Sequence, residues 1–279
     1  MEKGFTKKKA YGQNFLTTDS IPIRIAEVCG ADEHTGVIEI GPGMGILTRQ
    51  LLARAAKVVA IEIDEELVPF LNERFGDNEK FRLINRDVLK CDLSEIIRTE
   101  FEGLDCIVCA NLPYYITTPI IMTLLEGGHA FKSITVMVQK EVADRLASTP
   151  GSDGYGAITA SVSYYARVIK RFKVGAANFS PKPKVDSAVI SIIPYEDKPV
   201  KPICEKTFFE VVRAAFATRR KTLVNSLSGA FASRLSKETI ADIVSSLHSP
   251  TVRGEELSVA ELAAIADRIH GHIGQEVSQ

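Results

Sequence analysis

No stretch of about 18 consecutive apolar residues occurs in the 279-residue chain, so nothing in it reads as a membrane-spanning helix. The start, "MEKGFTKKKAYGQNFL", is basic but lacks the continuous apolar core and small-residue cleavage site of a secretory signal, which predicts a cytoplasmic protein. Cysteines are few. Cys29, Cys91, Cys106, Cys109 and Cys204 are an odd number in apolar settings, which argues against a disulfide framework and for a reducing compartment. Cys106 and Cys109 form a C-x-x-C, but within a strand-like run that spacing turns the two thiols to opposite faces and argues against a shared metal. His129 and the His270/His272 pair have no ligand partners nearby, so no metal site is expected. Internal repeats and low-complexity segments are absent as well.

What remains is an ordinary globular composition, 45% hydrophobic and 25% charged, in a chain long enough for one large core and a smaller appendage. The net charge of -1 conceals an asymmetry. Windows 3–9, 167–184 and 213–221 contain four, six and four Lys/Arg with no acid, which leaves 20 basic against 35 acidic residues elsewhere. Such windows can be solvated faces. Brought together, they would form a polyanion-binding surface, and Phe5, Phe172, Phe179 and Phe216 lie within them.

Apolar runs of strand length at 36–40, 57–63, 81–85, 104–110 and 133–139 alternate with amphipathic segments, the pattern of an α/β fold with a parallel sheet. Runs 166–174 and 187–194 have no helix between them and predict an antiparallel pair at the sheet edge. Thr18, Asp19 and Pro22 suggest the start of a leading helix over 20–29, with Gly30 as its stop. "PYEDKPVKP" at 194–202 reads as a linker, and the apolar spacing of Phe208, Val211, Val212, Ala215 and Phe216 opens a helical tail. The expected organisation is therefore a sheet domain over 1–196 and a small helical domain over 197–279.

The candidate site lies at successive strand ends. "EIGPGMGILT" (39–48) carries Gly41, Gly43 and Gly45 from a strand into a helix, which permits positive φ and close backbone approach to a ligand. A dinucleotide fingerprint wants glycine at 46, where Ile46 stands, so the turn points away from NAD. Glu62, about 20 residues further on, is placed to accept from ribose hydroxyls, and Asp87 from an exocyclic amine. Either acid could instead cap the next helix. "NLPY" ends the fourth strand. There Asn111 offers a side-chain carbonyl, Leu112 a backbone carbonyl, Pro113 a fixed turn without a competing donor, and Tyr114 a stacking face. Two acceptors on one amino group help a poorly nucleophilic adenine N6 to attack an activated methyl, such as that of S-adenosyl-L-methionine.

Those residues resemble the KsgA-type small-subunit ribosomal RNA adenine N6,N6-dimethyltransferases. "GQNFL", "EIGPGMGILT", "AIEID", "NRDVL", "NLPYYITTP", "MVQKEVADRL", "NFSPKPKVDSAVI" and "FFEVVRAAFATRRKTL" follow that family's order nearly end to end. The resemblance implies a Rossmann-like S-adenosylmethionine-dependent methyltransferase sheet with a C-terminal helical RNA-binding domain. Its substrate would be 16S rRNA within the small ribosomal subunit or its precursor, and a monomer is expected. It further implies that Gln13, Asn14 and Leu16 help close the cofactor site. Gly41, Gly43, Glu62, Asp87 and Asn111 would bind the cofactor or lie between it and the target. Phe179 would cover the adenine opposite Tyr114. The family usually has Asn-Ile-Ser where this chain has Tyr115-Ile116-Thr117.

Lys182 and Lys184 flank a proline-stiffened loop suited to an extruded base and its phosphates, while Arg219, Arg220 and Lys221 supply cations for RNA phosphates or for an intramolecular contact. On local sequence alone Phe179 could equally be core filler. The rivals are a large-subunit adenine methyltransferase of the antibiotic-resistance type, disfavoured by "GPGMGILT" and "PKPKVDS", and a ribosome-assembly or transcription factor that has lost catalysis, disfavoured by the intact Asn111, Pro113 and Tyr114. An NAD-dependent oxidoreductase lacks its third glycine and a proton relay.

Overall fold

The computed structural model describes residues 15–276, and its seven-stranded sheet is built from the apolar runs. In chain order the first elements are β1 (Phe15–Leu16), α1 (Ser20–Val28), β2 (Thr35–Ile40), α2 (Ile46–Leu52), β3 (Lys57–Glu62), α3 (Val68–Phe75), β4 (Phe81–Asn85) and α4 (Leu93–Glu100). They are followed by β5 (Asp105–Asn111), α5 (Thr117–Glu126), β6 (Phe131–Gln139), α6 (Lys140–Leu146), α7 (Ala157–Tyr165), β7 (Ala166–Val174), β8 (Phe179–Ser180) and β9 (Ser187–Pro194). Four helices close the chain: α8 (Glu205–Ala217), α9 (Leu223–Phe231), α10 (Lys237–Ser245) and α11 (Val259–Glu276).

The sheet order is β4-β3-β2-β5-β6-β9-β7, with β4, β3, β2, β5 and β6 parallel and β9 antiparallel to β6. The last two strands lie side by side at one edge, β7 outermost, as the lack of a helix between them predicts. The chain leaves β2 towards β3 and β4, then returns to β5 on β2's other side. This reversal opens a crevice beyond the carboxyl ends of β2 and β5, where open α/β sheets bind ligands. Beneath it, Ile25, Leu51 and Leu71 pack on Val37, Val58 and Ile107, all essentially fully buried and each worth about 1.5–3 kcal/mol. Asp19 does not cap α1 with its side chain; its carboxylate pairs with Arg49 at 2.7 Å instead.

Two compact units emerge, the first comprising residues 1–143 and 167–194, the second 144–166 and 195–279. A single boundary after residue 196 therefore omits an earlier crossing. In the second unit α7 contributes Ala160 and Tyr164 to a core with Phe208, Val211, Leu227, Phe231 and Ile265. The entry at residue 144 falls inside α6, just before a loop at 147–156 that carries one proline and three glycines, whereas the return leaves no mark because α7 runs into β7 with neither between them. Thr222 and Ser236 cap α9 and α10 by accepting from the backbone N–H groups of Asn225 and Thr239. No helix among the described residues is long and apolar enough to cross a membrane.

Candidate active site

A cavity opens at the sheet reversal. Leu16, Gly41, Gly43, Glu62, Asp87, Asn111, Leu112, Pro113 and Tyr114 all line it, although they come from five segments of chain. Gly41, Gly43 and Gly45 have φ of 67°, 58° and 72°, the left-handed region that disfavours any side chain. Space is short at two of these glycines as well: a Cβ on Gly43 would lie a tight 3.1 Å from the Phe15 ring, and one on Gly45 would collide with the Phe75 ring. The turn is held to β3 by the Gly41 N–H, which donates to the Ile61 carbonyl at 2.9 Å.

Glu62 ends β3 at 4% exposure. One carboxylate oxygen accepts from the Gly43 N–H at 3.2 Å, and the other from the Asp64 N–H at 2.9 Å. Burial raises its pKa against the pull of these two donors. Asp87 makes the cap that the sequence allowed and also borders the cavity. Its Oδ1 accepts from the Leu89 N–H at 3.0 Å, capping a short 3-10 turn over Val88–Lys90.

At the end of β5 the Leu112 N–H donates to the Met137 carbonyl at 3.1 Å, which fixes the orientation of that peptide. The Pro113 carbonyl accepts from the Ile116 N–H at 3.2 Å and from the Thr117 hydroxyl at 3.0 Å. Tyr114 is half-buried, and its hydroxyl meets Ser187 Oγ at 2.7 Å, so β9 anchors the ring. Burial raises the phenol's pKa. A tethered hydroxyl is a feature that a purely stacking role for this tyrosine did not anticipate.

The profile of the ribosomal RNA adenine dimethylase family matches residues 4–250. The chain belongs to this family. Among its relatives, the ribosomal RNA small subunit methyltransferase A of Clostridium perfringens (strain SM101 / Type A) is 48% identical over 95% of this chain and 91% of its own length. That of Shouchella clausii (strain KSM-K16) is 46% identical over 96% and 91%. A crystal structure of a dimethyladenosine transferase from Plasmodium falciparum superposes with a TM-score of 0.77 at 25% identity, covering 90% of this chain and 95% of that one. The 23S rRNA methyltransferase ErmE, at 22% identity and TM-score 0.68 over 92% of this chain and 100% of its own, shares the fold. This dimethylase is thus an S-adenosylmethionine-dependent rRNA methyltransferase on a Rossmann-like sheet.

Phe179 and the cations expected to meet RNA do not line the cavity. Gln13 and Asn14, like the basic window 3–9, lie outside the described residues. Phe179 is 4% exposed and packs in the apolar core opposite Leu16, through the antiparallel pairing of β8 with β1; unlike Leu16, it does not line the cavity. Lys182 and Lys184 are exposed on the loop between β8 and β9. In the helical unit, Arg220 and Lys221 are exposed, but the Arg219 guanidinium donates to Glu255 at 2.9 Å and to the Asp153 carbonyl at 2.8 Å. Arg219 thus makes the intramolecular contact that the sequence left open.

Sequence reasoning missed Glu39, although an acid at a strand end directly before the glycine turn was a signal of the same kind as Glu62. It lines the cavity at 1% exposure, and its Oε2 has no hydrogen-bond partner; neither does the Thr48 hydroxyl. Burial, with the nearby Glu62 carboxylate adding to it, pushes its pKa up to about 8. An unmatched buried carboxyl beside positive-φ glycines and a held Glu62 suits a ligand bearing ribose hydroxyls and a cation, as S-adenosylmethionine does.

Proposed function

We propose that this dimethylase transfers methyl groups to N6 of two adjacent adenosines near the 3′ end of 16S rRNA, in the small ribosomal subunit or its precursor, giving N6,N6-dimethyladenosine. The proposed setting is a cytoplasmic monomer with a role in small-subunit biogenesis. The observation that carries this reading is the placement of Asn111 and Leu112 in one cavity with Glu62 and the glycine turn.

Glu62 would take the ribose hydroxyls, and the turn at Gly41 and Gly43 lets the backbone approach the ligand closely. Asp87 keeps Oδ2 for an adenine amine, since Oδ1 already serves Leu89. Glu39 would receive the α-ammonium through its unmatched oxygen, and Leu16, with Gln13 and Asn14 before it, would close the site. S-adenosylmethionine supplies a methyl group already activated by its sulfonium. On the target side, the Asn111 side-chain carbonyl and the Leu112 backbone carbonyl accept the two N6 hydrogens and draw the nitrogen towards a pyramidal geometry with an available lone pair. The Pro113 carbonyl is taken by Ile116 and Thr117, which leaves Leu112 as the backbone acceptor. N6, held by these two acceptors, would take that methyl group, with the bonding pair left on sulfur and the N6 proton passed to water. Tyr114 offers a stacking face, with Lys182, Lys184, Arg220 and Lys221 for phosphates; Phe179, buried in this state, is not counted as a face.

The test is methylation of small subunits lacking the modification, compared with large subunits and free rRNA, with product nucleosides resolved. Dimethyladenosine confined to the small subunit is expected. Labelling of the large subunit instead would favour the antibiotic-resistance type of activity.

A further inference from the structure

Five large apolar side chains are exposed among the described residues: Ile63, Leu89, Tyr115, Val185 and Ile203. Ile203 belongs to the helical unit, while the other four belong to the sheet unit. Two of those four, Ile63 and Tyr115, line the cavity. Leu89 follows Val88, which also lines it, and Val185 stands two residues before Ser187, the partner of the Tyr114 hydroxyl. Single exposed apolar residues are ordinary on a protein surface. Two that line one cavity, with a tyrosine among them, call for a reason.

Tyr115 is the largest of them and the most exposed, at 60%. It follows Tyr114 directly and lines the same cavity, so two successive tyrosines border the site, the second of them largely exposed. The loop leading to Ser187 carries exposed Lys182 and Lys184. Exposed aromatic faces and cations on one unit are what single-stranded binding uses: the rings hold successive bases, and they tolerate any base because every base has a π-face.

We infer that Tyr115 is a positioning residue that stacks on the nucleobase adjoining the adenosine held at Asn111. The inference rests on the proposed function and adds a second base subsite to it. For an enzyme that modifies two neighbouring adenosines, such a platform holds one base while the other reacts.

The experiment compares Tyr115→Ala and Tyr115→Phe with the parent on small subunits lacking the modification, alongside calorimetric affinity for S-adenosylmethionine. Tyr115→Ala is expected to raise the KM for the particle about tenfold, at the lower end of what a lost stacking face removes, with kcat within about twofold and cofactor affinity unchanged. Tyr115→Phe should match the parent, because the ring is kept. An unaltered particle KM in Tyr115→Ala overturns the inference. So does a weakened cofactor affinity with particle KM unaltered, which would assign the ring to the cofactor. A parent inactive on the particle overturns the proposed function as well; an active parent with an indifferent Tyr115→Ala overturns this inference alone.

Discussion

Substituting Glu39 by Gln removes one ionisable group from the cavity wall and leaves its shape nearly unchanged. At 1% exposure, with Oε2 unmatched, the carboxyl keeps its proton up to about pH 8, whereas in the unfolded chain it loses it near the usual 4.5. Between those values the folded state binds a proton that the unfolded state has released. Stability contributed by the neutral acid is therefore complete at low pH, falls by about 1.4 kcal/mol per pH unit across that window, and levels off above it. The full window corresponds to about 5 kcal/mol, and relaxation around the charged form brings the expected figure to about 2–5 kcal/mol. The amide cannot ionise, and its NH2 can donate to the unpaired Thr48 hydroxyl. Urea unfolding without cofactor at pH 5 to 9 should show the variant gaining on the parent by that amount, with most of the gain between pH 5 and 8. Glu62 is present in both proteins, so the difference isolates Glu39. A difference that is flat with pH would refute the reasoning.

The anchored tyrosine gives a second prediction: Tyr114→Phe strands the buried Ser187 hydroxyl and should cost about 1–2 kcal/mol in thermal unfolding, whereas an unchanged Tm would mean that the bond contributes nothing. Glu62→Ala should weaken S-adenosylmethionine binding by about 1–3 kcal/mol in calorimetry while RNA affinity persists, and unchanged cofactor affinity would remove Glu62 from the site. Replacing Arg220 and Lys221 together with Ala should flatten the log-log salt dependence of RNA binding by about 0.7–0.9 per lost phosphate contact. Arg219→Ala should instead lower thermal stability, since that side chain ties Glu255 and the Asp153 carbonyl; a loss of salt slope in this variant with stability unchanged would reverse the assignment.

What the sequence made legible follows from how local the cause is. Strands 81–85 and 187–194 appear with the expected bounds because turn residues flank an apolar run at both ends, and strand 166–174 does so although only its far end, at Gly175, carries one. Glu62, Asp87 and Asn111 could be read as sharing a crevice because each stands at or just beyond the end of a parallel strand, and parallel strands deliver their ends to one edge. Non-local contacts were another matter. Phe179 looked available within "NFSPKP", and only its pairing opposite Leu16, more than 160 positions away, turns it into the core. The Tyr114 hydroxyl depends on Ser187, and Arg219 on Glu255 and Asp153, all remote in sequence. Residues 144–166 enter the second unit inside α6, ahead of the breaker "STPGSDGYG", and leave it at the α7–β7 junction, which carries none; packing of Tyr164 on Phe208 holds α7 in that unit.

The central claim is that Asn111 and the Leu112 carbonyl activate N6. Single-turnover methylation of undermethylated small subunits by Asn111→Ala, with mono- and dimethyladenosine resolved, tests it most directly. The account predicts a rate about 100-fold or more below the parent, as for loss of a preorganised transition-state hydrogen bond, with particle affinity nearly unchanged because phosphate contacts supply most of it. Transfer of both methyl groups at the parent rate would contradict the account and leave "NLPY" as a turn that merely ends β5.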